Sequence, residues 1–341
     1  MRNRQNADPG TRQRPIAAPL RLAIAAALAV GAAVLGACTG APNREAEARE
    51  LETAVRAMPG VTSAYVNYSN DITQGVATSV SADMHDATID QIEAVAARVA
   101  DSHRQDFDEY KRSASFYVGG GTVEHRTDRP DRHTFVSPAL VAADARAVRQ
   151  LGSALPPPAA ERRIDWARTD LGTELTLRET AGDSALGVVR SVIGEQPVPV
   201  RVFPAMRTDI AWKVDFPFGA EDEARVRAIL ARSPLPVRSV DVTAGHLARM
   251  TVATPDPAEA RTALAALIDL VAPAPGHPLL VEWEQPRPSN SGELKFKGSV
   301  HVGGCSYSAR SAGEREPENY YTAEAVALQR HLRDTYDTCP R

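Results

Sequence analysis

Apolar residues recur along this chain at two spacings, every third or fourth position in some stretches and every second position in others. The first spacing is that of an amphipathic helix, the second that of a half-buried strand. Read this way, a unit of helix, two strands, helix and strand repeats three times. In the first copy Leu51, Val55 and Met58 mark a helix from Glu45 to Met58, stopped by Pro59-Gly60. Strands at Thr62 to Tyr68 and Val76 to Ala82 flank the turn residues Ser69-Asn70-Asp71. Asp86 or Thr88 then caps a helix carrying the stripe Ile89, Ile92, Val95, Ala96 and Val99, and Ser113 to Val118 closes the unit.

The third copy is the most regular. Its helix spans Ala220 to Ala231, its hairpin Val237 to Thr243 and Leu247 to Ala253, and its returning strand Leu279 to Trp283. Asp256 and Pro257 stand where a helix with Leu264, Leu267, Ile268 and Val271 should open. A middle copy has helices near Ala139 to Leu151 and Ser184 to Ile193, with strands near Ile164, Gly172 to Arg178 and Val198 to Phe203. A strand placed before each copy gives the ferredoxin-like order, and Asp209 to Phe216 and Thr134 to Ser137 are the candidates. The expected fold class is therefore α+β, tandem ferredoxin-like modules whose antiparallel sheets carry helices on one face. The modules span 45–130, 131–208 and 209–290, and a strand (Glu293 to Val302) and helix (Tyr320 to Asp337) follow in an extension over 291–341. That strand either pairs with the first module or extends the third.

The amino end has a different pattern. Arg2, Arg4, Arg12, Arg14 and Arg21 precede an apolar run from Leu22 to Val34, which ends in Leu35-Gly36-Ala37-Cys38. The run is shorter than the ~20 residues a membrane span needs. These residues resemble a lipobox, and the first 38 resemble the signal peptide of a bacterial membrane lipoprotein, of actinobacterial type given the preference for Arg over Lys. The resemblance implies that residues 1–37 are removed and that Cys38 carries lipid at the head of a tether, 38–44; ordinary cleavage or a retained anchor are the alternatives. Loss of that leader, with its five arginines and Asp8, moves the net charge from −4 to −8. An acidic chain is repelled by nucleic acid and by anionic headgroups, so no nucleic-acid partner is expected and membrane attachment falls to the lipid.

Acylation of Cys38 leaves Cys305 and Cys339, which an oxidising compartment would join in a disulfide, the alternative being two reduced thiols. Catalytic motifs are missing: there is no His-Glu-x-x-His, Gly-x-Ser-x-Gly, Ser-x-x-Lys or phosphate loop, and nothing calls for a cofactor. Gly119-Gly120-Gly121 reads as a hairpin turn because strand residues, not a helix, follow it. Glu124, His125, Asp128, Asp131 and His133 offer metal-type ligands, but Arg126, Arg129 and Arg132 among them oppose a cation, so no metal site is expected. Asp101, Asp106, Asp108 and Glu109 read as the polar end of a helix. Trp166, Trp212 and Trp283 fall on strands, as core residues or, if exposed, as a sugar-stacking platform.

Repetition without convergent catalytic residues points to a lipid-anchored, extracytoplasmic, non-enzymatic binding or scaffold protein of the bacterial cell envelope, with an envelope protein or cell-wall partner. The alternative is an envelope hydrolase using Glu282 or Glu284 beside Trp283 against Asp215.

Overall fold

The structure is a computed structural model and describes residues 42–71, 75–129, 137–156, 163–178, 182–206, 209–254, 256–285, 294–304 and 316–337. The chain divides into two units, residues 1–43 with 69–77, and residues 44–68 with 78–341. In the first, Ser69 Oγ donates to the Gly75 carbonyl at 2.8 Å and Asn70 Nδ2 to the Pro42 carbonyl at 3.3 Å.

Among the described residues a helix and a hairpin alternate six times. The order is α1 (Glu45–Arg56), β1 (Ser63–Asp71), β2 (Gly75–Asp83); α2 (Ile89–Gln105), β3 (Lys111–Val118), β4 (Gly121–Thr127); α3 (Pro138–Ala154), β5 (Arg163–Thr169), β6 (Gly172–Arg178). It continues with α4 (Gly182–Ile193), β7 (Pro199–Phe203), β8 (Ala211–Asp215); α5 (Ala220–Ala231), β9 (Val237–Thr243), β10 (His246–Ala253); α6 (Ala260–Val271), β11 (Leu279–Glu284), β12 (Lys297–Val302). A closing helix, α7 (Ala323–Tyr336), follows. The unit seen in the sequence is thus two of these shorter units, whose period of about 40 residues lies in the range of repeat architectures.

Local chemistry sets the boundaries. Thr88 caps α2 in a reciprocal box with Gln91, while Asp256 Oδ1 binds the Ala258 N–H to make a turn, so that α6 starts only at Ala260. Gly119 and Gly120 both take positive φ between β3 and β4, which makes the glycine run a two-residue hairpin turn.

The strands form one mixed sheet in the order β1 to β12. From β3 onward the pairings alternate, antiparallel within each hairpin and parallel across each helix. This mixed α+β sheet replaces the expected separate antiparallel sheets of ferredoxin-like modules. The seven-residue connection from β7 to β8 is too short for a crossover, so β8 pairs antiparallel with β7 and parallel with β9, joining two copies. The C-terminal strand β12 extends the third copy through β11. The expected strand at Thr134 to Ser137 lies almost wholly outside the described residues.

Successive parallel connections of one hand put their helices on one side of a sheet. Accordingly α1 packs on α2, α2 on α3, α3 on α4, and α6 on α7. The core lies between that layer and alternate strand residues: Phe116, Val123, Trp166, Leu177, Val200, Trp212, Val240, Met250, Val281, Trp283 and Val300 are all buried. Glycine is required where a side chain would strike the core, Gly298 being the tightest case. Gly298 faces Trp283 across β11 and β12, and a Cβ there would come within 2.3 Å of the indole. Gly298→Ala should therefore cost ~1–3 kcal/mol by overpacking, while Gly187→Ala in open space on α4 should stabilise by ~0.5–1 kcal/mol. Urea unfolding of the two variants checks this, and equal effects would refute it.

Candidate functional site

The main concentration of buried charge lies where β3 starts and β4 and β5 end. On β4 the alternation that buries Val123 also buries His125 and Thr127. On α3 the stripe Val141, Ala145, Val148 and Leu151 includes Asp144, and on β5 Arg168 lies two residues after Trp166. His103, Arg112, His125 and Thr127 are each 1% exposed and Asp144 2%. Arg168 grips Asp144 with two parallel bonds, Nε to Oδ2 and Nη2 to Oδ1, both 2.6 Å, and its Nη1 donates to Thr173 Oγ1 at 3.0 Å. His125 Nε2 lies 3.3 Å from Asp144 Oδ2, so the carboxylate ties two adjacent strands to one helix.

A second cluster adjoins it. Arg112 Nη1 donates to the His103 carbonyl at 3.2 Å, and opposite Arg112 on β4 Thr127 donates to Asp170 at 2.8 Å. Burial, and then the Arg112 charge, press the His103 imidazole down to about 3. Burial also lowers Arg112, against the raising influence of Asp108 and Asp170. Groups at this depth are set to hold elements in register, since an arriving substrate meets at most the partly exposed edge of Arg168.

The reverse of the sheet faces away from the described helices. There the alternate residues form a ladder of cross-strand ion pairs: Arg178 to Asp165 at 3.5 Å, Arg201 to Glu174 at 2.9 Å, Arg249 to Asp241 at 3.9 Å and to Glu282 at 3.6 Å, and Lys297 to Glu284 at 3.9 Å. Thr243 and Thr251 add hydroxyl donors to Asp215 and Glu282. Side chains of this ladder keep part of their surface in solvent, Asp241 about a quarter and Arg178 half.

The sequence-derived candidates scatter. Cys38, Cys305, Cys339, Asp131 and His133 lie outside the described residues. Glu124 falls on the opposite face of β4 from His125, Asp128 pairs with Arg126, and among the described residues no group of His, Cys, Asp and Glu is arranged to hold a metal. Asp101 pairs with Arg104, and Asp106 accepts the Ser102 hydroxyl at the end of α2. Trp166, Trp212 and Trp283 are buried core residues, which removes the sugar platform. Glu282 and Asp215 stand three strands apart, about 14 Å at the usual strand spacing. Paired glycosidase carboxylates lie within about 10 Å. The sequence reading missed Asp144, Arg168, His103 and Arg112. Their signal was a charged residue at a position where the period of the element demands an apolar one.

No protein-family model, curated protein or solved structure matches this chain. Among the described residues no helix is long and apolar enough to cross a membrane.

Proposed function

We propose that this chain is a lipid-anchored, extracytoplasmic protein of the bacterial cell envelope, a non-enzymatic binding or scaffold protein that offers the uncovered face of its sheet to an envelope partner. One observation carries the reading: from β4 to β11 the positions that alternate with the core, among them Glu124, Asp165, Glu174, Lys213, Asp241 and Glu282, are polar and partly or fully exposed on the face turned away from the described helices. Cross-strand pairs of this exposed kind contribute only ~0–1 kcal/mol each, so their charges remain available for exchange with a ligand.

A photo-reactive residue at Lys213 on the uncovered face should cross-link a partner in membranes, and one at exposed Arg146 on α3 should not. Cross-links from Arg146 alone, or turnover of a cell-wall substrate by the purified chain, would overturn the reading. Incorporation of a fatty-acid analogue should be lost in Cys38→Ala; an unchanged label would refute the anchor.

A further inference from the structure

A sheet that does not close has two edges, each with a row of backbone N–H and C=O groups able to pair with another strand. Among the described residues the outermost strands are β1 and β12, and both are met by side chains of the helix next to them in sequence. At β1, Glu52 of α1 accepts the Val66 N–H at 2.9 Å and Arg56 donates to the Ala64 carbonyl at 2.9 Å. At β12, Gln329 of α7 accepts the Ser299 N–H at 2.9 Å and Arg333 donates to the Ser299 carbonyl at 3.3 Å. Both helices use an acceptor followed four residues later by an arginine, which places the two groups one turn apart on one helix face. In α1 the pair also bond to each other.

The β12 edge has a second cover. The Lys295 N–H binds the Tyr320 carbonyl at 3.0 Å and the Thr322 N–H binds the Lys295 carbonyl at 3.0 Å, so the chain entering α7 runs as a short parallel strand beside the approach to β12. Thr322 then caps α7. The helix is thereby placed so that its next turns reach Ser299.

We propose that α1 and α7 are edge guards, and that the surface each covers is a pairing edge for a second copy of this chain. With guards in place the chain is a single protomer. When α7 is detached, the edge strand β12 joins β12 of a second copy about a two-fold axis, and that dimer has no further free edge while α1 holds. When both guards are removed, each copy offers two edges and association continues past the dimer.

Sedimentation velocity of the purified full chain in nonionic detergent tests this. Wild type should sediment as one protomer, Gln329→Ala/Arg333→Ala as a dimer, and the quadruple variant with Glu52→Ala/Arg56→Ala as larger species, all with the wild-type circular dichroism. Adding Ser299→Pro to the α7 variant removes the outward N–H at an edge, where proline is tolerated, and should restore the protomer. Variants that keep the wild-type spectrum and sediment as wild type, or association that Ser299→Pro does not reverse, would overturn the proposal. Amide exchange reads the guard without any assembly: Gln329→Ala should speed exchange at Ser299 at least 10-fold and leave Val281 and Val252 unchanged. Unaltered Ser299 exchange would also overturn it.

Discussion

Between pH 7 and pH 4 the wild-type chain should lose about 3 kcal/mol more stability than a His103→Leu variant. The sign follows from which state takes up the proton. Burial holds the folded His103 down to about 3, against about 6.5 for an exposed imidazole. As pH falls the unfolded chain therefore binds a proton first. The contribution is complete above about pH 6.5 and drains away towards pH 3, to a total of roughly 4–5 kcal/mol at 1.36 kcal/mol per pKa unit. Leucine fills the site, which lies edge-on to Phe107, and has no proton to bind. His246 is lowered as well, by burial and then by His277 stacked 3.5 Å away, and adds in the same sense in both proteins. Urea midpoints at pH 7, 5.5 and 4 measure the difference. Parallel pH profiles for the two proteins would sink the assignment.

Asp144→Ala should be the most damaging single substitution on α3, at about 3–5 kcal/mol, because it strands a guanidinium and an imidazole that the carboxylate now satisfies. Asp144→Asn keeps part of the hydrogen bonding and should cost less. Replacing the whole cluster, with Asp144→Leu, Arg168→Met and His125→Phe together, should recover most of the loss, since a buried ion pair exchanged for packed apolar groups is often close to neutral. Equilibrium unfolding of the three proteins decides the matter. A cost under about 1 kcal/mol for Asp144→Ala would show that the network is not what holds β4 and β5 to α3.

Most elements were legible in the sequence because each signals itself within a dozen residues. The stripe on α2, the hairpin of β9 and β10 and the turn at Gly119-Gly120 lie where period and turn chemistry put them. What failed was grouping. Asp209 to Phe216 has the pattern of a strand opening a third module, yet the short connection behind it makes it the partner of β7, and its parallel pairing with β9 merges two modules into one sheet. Strand pairing is non-local, so the hydrophobic pattern of a strand leaves its neighbours open. The buried polar cluster was missed for a related reason. Asp144 occupies a core position of α3, and only the fold reveals that an arginine from β5 and a histidine from β4 arrive there to meet it.

The sequential strand order has a kinetic consequence. In a sheet ordered as the chain is ordered, every hairpin docks on the one laid down just before it, and no strand waits for a segment far ahead. A chain that emerges amino end first can therefore fold as it appears, each helix-hairpin unit using the last as its template. The α7 helix follows β12 in the chain and covers its outer edge. Assembly then has a built-in stop.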